Sequence, residues 1–549
     1  MIPKPFTNMA VSLSGGGYRA TTFHLGALSY LNHLQFEGKS VLEEVKIIST
    51  ISGGTFTGAM YALRLAQGKT FEDCFKDLYE LLLHDQLVDL ALHKLSNPSS
   101  WANKYKSKDL INAFSEVYNE VFFDGATFAQ LYDGQSSHLT DVIFGSSEFT
   151  QGIQFRFQED IGYGKFGNGY MHLPTEAARE VRIADSVAAS SCFPGGFEPL
   201  IMPKDFGNGP QSKVDKAWEA EKYQNTALMD GGIVDNQGIE GVKHAERRHS
   251  EDGQPFIGTY LVSDVAGQMM SPYKVPILKD GGIGNFITIR GINIFAWVAL
   301  IIIAGLLAFA PMPRILTVIL SSLIPLLAIW LILYFYAKSQ LAAFIKESFG
   351  PHQLKEYLKD FRVLIKTPVY ILIYLIKFRV TSVLKMVSDV FLRRIRRLSL
   401  DSLYGSDDWN YRFEANNIYT LKDKKKQEKE HLKKDMIHII NQANSMPTTL
   451  WFTEQEYEDR MLNDLIICGQ FTQCYNLREY LGRLMNPKTT FYEKVWKSLK
   501  PDYQNKLSDL KDAMDADWER FKDQPRWLFC DMLKKLGIED EKCKDVTKP

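Results

Sequence analysis

The chain has 549 residues, 45% of them hydrophobic and 23% charged, with a formal net charge of −1. That length allows roughly two to four domains, and the near-neutral balance removes the electrostatic basis for a nucleic-acid partner. Cys74, Cys192, Cys468, Cys474, Cys530 and Cys543 form no CxxC pair and no Cys/His metal spacing, which reads as reduced thiols scattered through a cytosolic protein.

The N-terminus, MIPKPFTNMAVSLSGGG, has no long apolar run after a basic start. No cleaved secretory signal is expected, and the N-terminal domain is expected to stay in the cytosol. Met9–Leu13 reads as a short buried strand followed by a glycine turn and a helix. VKIISTISGGTFTGAMYALRLAQG repeats that grammar, with Gly68 as the C-cap. Strand, helix, strand, helix predicts a parallel sheet covered by helices. From Thr70 to Leu131 the text is helical, and DVIFGSSEFTQGIQFRFQ then reads as a strand pair turning at Gly152. Pro255–Asp264 is a further buried strand.

The composition then shifts. Ile292–Ala310 is 19 residues without a charge, and Ile315–Ala337 is 23. At about 1.5 Å per residue the shorter run spans about 28 Å, near the hydrocarbon thickness of a bilayer. A core helix of that length keeps a polar stripe, which these runs lack. The connector PMPR forces an antiparallel transmembrane hairpin. Arg290 and Lys338 flank its outer ends and Arg314 sits at the turn, so both ends are expected on the cytosolic side. In PVYILIYLIKFRVTSVLKMVSDVFLRRIRRL, Pro368–Ile376 is too short to span, and Lys377, Arg379 and Lys385 follow. This predicts basic amphipathic helices on an anionic membrane surface, or a packed helix with a solvated basic face. KDKKKQEKEHLKKD is a charged helix or linker of mixed sign. The remainder from about Asp435 to Pro549 is largely helical and carries no catalytic signal.

Three stretches carry chemistry. In SLSGGGYRA, the N–H groups of Gly15, Gly16 and Gly17 can converge on an anion between a strand and a helix. Gly15-x-Gly17-x-x-Ala20 also matches a relaxed dinucleotide fingerprint. The second strand, however, ends in Ser49-Thr50-Ile51-Ser52 without the acidic residue a ribose needs. No Gly-Lys-Ser/Thr follows, so it is not a P-loop. An oxyanion hole and a ligand-free tight turn remain. In IISTISGGTFTGAM, Ser52 stands at a strand-to-helix corner, but Thr50 replaces the first glycine of Gly-x-Ser-x-Gly. Two successive strand–helix turns of a parallel sheet place their ends side by side, an anion hole beside a nucleophile, as acyl transfer requires. A serine needs a base. His24 lies within the first helix, and His84, His93, His244 and His249 lie in polar helical text. NTALMDGGIVDNQG instead offers Asp230 at the end of an apolar stretch, followed by Gly231-Gly232; a calcium-like or purely structural Asp-Gly turn is the competing reading.

Taken in order, SGGGYRA, TISGGT, AASSCFPGGFEPL and MDGGIVDN, with SSEFTQGIQFRF between them, resemble the patatin-like phospholipases over roughly Met9 to Val265. The resemblance implies a three-layer α/β fold with a mostly parallel central sheet, and a Ser–Asp dyad. It implies Ser52 as nucleophile and Asp230 as general base, with an oxyanion hole from the Gly15, Gly16 and Gly17 turn and from Gly53. It also implies Arg19 as a supporting residue that positions the loop or stabilises negative charge, and no metal or organic cofactor. Thr50 departs from the family pattern, although Gly54, Gly58 and Ala59 offer space beside it.

The expected organisation is a catalytic domain over 1–290, a transmembrane hairpin over 291–338, membrane-surface helices over 339–403 and a helical region over 404–549 that packs back on the catalytic domain. The expected function is a membrane-integral lipid acyl hydrolase of phospholipase A type. Its partners are membrane phospholipids and the bilayer, its catalytic domain lies on the cytosolic side, and no nucleic acid is involved. The competing expectations are a membrane-tethered scaffold with a degenerate site, a nucleotide-binding regulator, and an esterase for a soluble ester or an acylated protein.

Overall fold

A computed structural model describes residues 2–83, 87–134, 137–160, 166–250, 254–267, 273–275, 277–278, 282–349, 363–448, 452–486 and 490–543. His84, residues 350–362 of the predicted surface-helix segment and residues 544–549 of the C-terminal region lie outside the described residues. The chain forms two compact units, one of residues 1–270 with 389–549 and one of residues 271–388.

In the first unit, β1 (Met9–Leu13) leads into α1 (Gly17–His33), and β2 (Val45–Ile51) leads into α2 (Gly53–Ala66). All five residues of β1 are buried, as are all but Lys46 of β2. Unbroken apolar runs of this kind belong to strands covered on both faces. Gly68 takes a left-handed φ of 73° just beyond α2, as a C-cap glycine does. The chain continues through β3 (Asp141–Glu148), β4 (Ile153–Asp160), β5 (Phe166–Gly167) and β6 (His172–Leu173). It then forms α3 (Ile183–Ser191), β7 (Leu200–Met202), β8 (Thr226–Asp230), α4 (Ile239–His249) and β9 (Tyr260–Asp264). Beyond the second unit come α5 (Leu392–Tyr404), β10 (Phe413–Asn417), α6 (Met461–Met485) and α7 (Pro501–Asp523).

The sheet order is β10-β9-β1-β2-β3-β4-β5-β6. β10, β9, β1, β2 and β3 run parallel, and the strands after β3 pair antiparallel. The β3–β4 hairpin turns at Gly152, whose φ is +68°. β3 is longer than β2, and this positions the site. Ile51, the last residue of β2, pairs with Gly145 of β3. β8 runs the other way along the remainder of β3, and its last residue, Asp230, pairs with Ser146. The ends of β2 and β8 therefore meet at adjacent residues of one strand.

The C-terminal region adds an edge strand to the sheet and a helix to its surface. α6 packs on α1 with backbone in contact. A Cβ on Gly26 would lie 2.0 Å from the Ile466 carbonyl oxygen, and one on Gly469 would lie 2.2 Å from that of Phe23. Glycine is required at both positions of this crossing. On α7, Asp517 accepts from the Tyr30 hydroxyl of α1 at 3.2 Å.

One cysteine reading is corrected. Cys530 and Cys543 form a disulfide, while Cys74, Cys192, Cys468 and Cys474 are buried thiols. The helix Trp527–Lys535 and the turn Glu541–Cys543 fold back to bring the two Cα atoms within 5.3 Å, a proximity that a spacing of 13 residues does not reveal.

The second unit contains the helices Ile289–Phe309, Arg314–Phe349 and Val369–Lys385. Thr288 caps the first by accepting from Gly291 N–H. Residues 310–313 break the helix, as PMPR predicts. The stretches Ile289–Phe309 and Arg314–Phe344 are long and apolar enough to cross a membrane. Their surfaces are largely exposed, with Ile301 at 69% and Ile315 at 76%. Trp330 Nε1 donates to Asn293 Oδ1 across the hairpin at 2.9 Å. Pro325 lies inside the second helix, a placement that transmembrane helices tolerate.

Candidate active site

Ser52 occupies the corner between β2 and α2 with φ 52° and ψ −121°, a conformation costly for a residue with a Cβ. Its N–H donates to Ser190 Oγ at 2.9 Å, and the Ser190 hydroxyl donates onward to the Gly145 carbonyl at 2.6 Å. Thr55 Oγ1 lies 3.0 Å from Ser190 Oγ. With its own proton on Gly145, Ser190 accepts from both Ser52 and Thr55, so it holds the strained corner against β3.

Glycine is needed around the corner because the two strand–helix turns touch. A Cβ on Gly53 would lie 2.0 Å from the Gly17 carbonyl oxygen, and one on Gly54 would lie 2.4 Å from that of Leu13. The Thr50 departure has a matching accommodation. A Cβ on Gly58 would lie 2.4 Å from Thr50 Cγ2, so Gly58 provides the space and the Thr50 hydroxyl donates to the Ile143 carbonyl at 3.3 Å. Gly54 serves the approach to β1 rather than Thr50.

Asp230 is 3% exposed at the end of β8. Its Oδ1 accepts from Gly232 N–H at 2.7 Å. Burial raises its pKa to about 6, against the opposing pull of the Gly232 N–H, the Ser52 hydroxyl and the charge of Arg396. Gly231 N–H donates to the Ser190 carbonyl at 3.1 Å, and a Cβ there would lie 2.3 Å from the Gly145 carbonyl oxygen. The Asp-Gly-Gly turn is thereby seated against the same β3 residue that holds the serine corner.

The glycine turn faces this pair. A Cβ on Gly15 would lie 3.1 Å from Ser52 Cβ, tighter than an ordinary contact, so glycine lets the turn approach the serine without crowding it. Gly16 and Gly17 have φ of +150° and +58°, and stand at the start of α1. Gly53 stands at the start of α2. First-turn N–H groups have no partner within their own helix and carry the positive end of its dipole, so negative charge is favoured at these residues. Gly15 is corrected as a donor: its N–H is committed to the Asn236 carbonyl at 2.9 Å. Its contribution is the close approach.

Arg19 is engaged by main-chain carbonyls. Its guanidinium donates to the Met446 and Val265 carbonyls, both at 2.5 Å. Burial, then the charge of Arg396, lowers its pKa to about 10, with Asp264 opposing. Of the two roles the resemblance gives it, this geometry serves positioning. Under the turn, His24 lies between Ser263 Oγ at 2.9 Å and the Ser14 carbonyl at 3.0 Å. Burial lowers its pKa to about 4, so it is neutral and its ring N–H supports the turn. Among the described residues no three His, Cys, Asp or Glu side chains cluster to hold a metal ion.

Three contributors have no separate signal in the sequence. Ser190 is hidden in a small-residue block and Asn236 in the tail of the Asp-Gly-Gly stretch. Arg396 arrives on α5, from a run that reads as a basic membrane face. Against that expectation, its Nη2 donates to the Gly15 carbonyl at 3.1 Å and its Nε to Asn236 Oδ1 at 2.9 Å.

Residues 11–242, which contain both strand–helix turns and the Asp-Gly-Gly turn, match the family model of the patatin-like phospholipases. The fold is a patatin domain with a mostly parallel central sheet flanked by helices, and lipid acyl hydrolysis is the chemistry of that family. No curated protein matches the chain.

Proposed function

We propose that the chain is a membrane-integral lipid acyl hydrolase of phospholipase A type, with Ser52 as nucleophile and Asp230 as general base. The observation that carries this reading is the strained Ser52 corner, set beside the buried Asp230 carboxylate at adjacent positions of β3 and faced by the N-termini of α1 and α2. Ser52 Oγ attacks the ester carbonyl carbon as its proton passes to Asp230. The N–H groups of Gly16, Gly17 and Gly53 stabilise the oxyanion. Collapse expels the alcohol, which takes the proton from Asp230. Water, deprotonated by Asp230, then attacks the acyl-serine, freeing the fatty acid as the proton returns to Ser52.

The exposed apolar helices of the second unit support insertion into the bilayer that holds the substrate. Arg290 and Lys338 at the outer ends of the hairpin support a cytosolic placement of the catalytic unit. Protease protection in sealed vesicles tests that side. Persistence of the Cys530–Cys543 bond in native membranes would argue for the opposite, oxidising side.

The decisive measurement is mass spectrometry of fatty acids released from a native lipid extract and from phospholipid vesicles, for the native chain and Ser52→Ala. Release that depends on Ser52 is expected, and equal release by both would overturn the assignment. A scaffold with a degenerate elbow is the weaker reading, because Gly58 removes the steric objection to Thr50.

A further inference from the structure

The patatin-like stretch ends at residue 242, yet the site receives a side chain from far beyond it. Arg396, on α5, spans the two turns that flank Ser52. Its Nη2 donates to the Gly15 carbonyl at 3.1 Å, while Nε and Nη2 both donate to Asn236 Oδ1, the former at 2.9 Å. Asn236 is itself a hinge between the turns. Its backbone carbonyl accepts from Gly15 N–H at 2.9 Å. Its side-chain amide lies where a Cβ on Gly15 would come within 3.4 Å and one on Gly232 within 2.3 Å. A guanidinium fork suits this task because its planar donors reach two acceptors in fixed geometry, which a lysine cannot do.

The charge matters as well as the fork. The carboxylate nearest Arg396 is Asp264 at 3.7 Å, and Asp264 is already engaged by Gln237 Nε2 at 2.8 Å and Ala266 N–H at 2.9 Å. Its other two acceptors, the Gly15 carbonyl and Asn236, are neutral.

Resting on the functional reading above, we propose that Arg396 is a positioning residue for the dyad: it clamps the oxyanion turn to the Asp-Gly-Gly turn and holds a positive charge beside Asp230. The patatin-like stretch is then incomplete without α5. The charge effect has a definite sign. Arg396 lowers the Asp230 pKa that burial raises to about 6, so losing it moves the ionisation of Asp230 upward. The other groups around the pair are Arg19 on α1, which keeps its charge, neutral His24, Asp264 at the end of β9, and the Cys192 thiol after α3, which burial and then Asp230 push well above its ordinary range.

The test uses the full-length chain in detergent and a fluorophosphonate probe, which reports Ser52 nucleophilicity whatever the natural lipid is. Labelling rate is followed against pH, alongside hydrolysis of a neutral soluble ester and of a phospholipid. Arg396→Ala is expected to label roughly 10- to 100-fold more slowly, with its midpoint displaced to higher pH and equal losses of kcat on both esters. Arg396→Lys is expected to keep the midpoint near that of the native chain while labelling at an intermediate rate. Native rates and an unmoved midpoint in both variants would overturn the proposal. So would a defect confined to the KM of the phospholipid, which would make Arg396 a phosphate-binding residue instead. If Arg396→Ala shows no cooperative melt, Arg396→Lys decides alone, and a native rate there overturns the clamp. A native chain that neither labels nor hydrolyses overturns the functional reading itself, an outcome distinct from an active chain indifferent to Arg396.

Discussion

Apolar side chains do opposite work in the two units. In the unit of residues 1–270 and 389–549, Leu13, Ile48, Ile51 and Phe144 are fully buried in the sheet that carries Ser52 and Asp230, themselves at 6% and 3% exposure. There burial takes water from the Asp230 carboxylate, and its pKa rises to about 6. In the unit of residues 271–388, Phe295, Ile301, Phe309 and Ile315 cover no polar centre and face outward. At about 25 cal/mol per Å² of apolar surface, such exposure is unfavourable in water and costs nothing in lipid. One residue class thus builds a buried core in the first unit and an exposed apolar surface in the second.

The largest break between these roles comes from the dyad. Ser52→Ala and Asp230→Asn are each expected to lower fatty-acid release at least about 10³-fold, with vesicle flotation unchanged. The second unit breaks in the opposite sense. Ile302→Arg or Leu326→Arg, both at exposed positions of the apolar helices, each costs about 3 kcal/mol at a helix centre. Flotation should fall roughly 100-fold per charge at that cost, while the detergent-solubilised chain still cleaves a soluble ester. Between these lies pH. Asp230 accepts the serine proton only when ionised, so release should decline about tenfold for each pH unit below about 6 and flatten above it; a rate indifferent to pH between 4 and 7 would exclude Asp230 as the base. The smallest effect is at the elbow. Gly58→Ala sets a methyl against Thr50 Cγ2, 2.4 Å away, and is expected to cost about 1–3 kcal/mol. Adding Thr50→Ser, which removes that Cγ2 and keeps the hydroxyl, should restore most of the loss in a double-mutant melting series.

What could be read in the chain beforehand was local. β1, the β2 corner at Ser52, the Gly152 hairpin and the apolar runs each declare themselves within about 20 residues through periodicity and glycine placement. That Ser52 and Asp230 come together at the ends of β2 and β8 was legible only because several motifs stood in one order. The contributors that escaped are long-range. Gly15 loses its N–H to a carbonyl 221 residues away, and Arg396 bonds a residue 381 positions earlier. Gly26 and Gly469 are ordinary helix glycines until the two backbones meet. No window along the sequence contains such pairs. The arginine run Leu392–Leu398 is a particular case, because a basic helical face has the same spacing whether it meets lipid, water or a backbone carbonyl.

The edge strand β10 has a consequence for biogenesis. It pairs in parallel with β9, from Tyr260↔Phe413 to Asp264↔Asn417, yet the whole of the second unit lies between the two strands in the chain. During translation the apolar helices emerge first, while the outer edge of β9 still has open hydrogen-bonding groups. At about 5–20 residues per second, the ribosome needs several seconds more to deliver α5 and then β10. The order of synthesis therefore completes the apolar helices before Arg396 reaches the serine and before the sheet is complete, so that the serine site is assembled only after the apolar hairpin has been made.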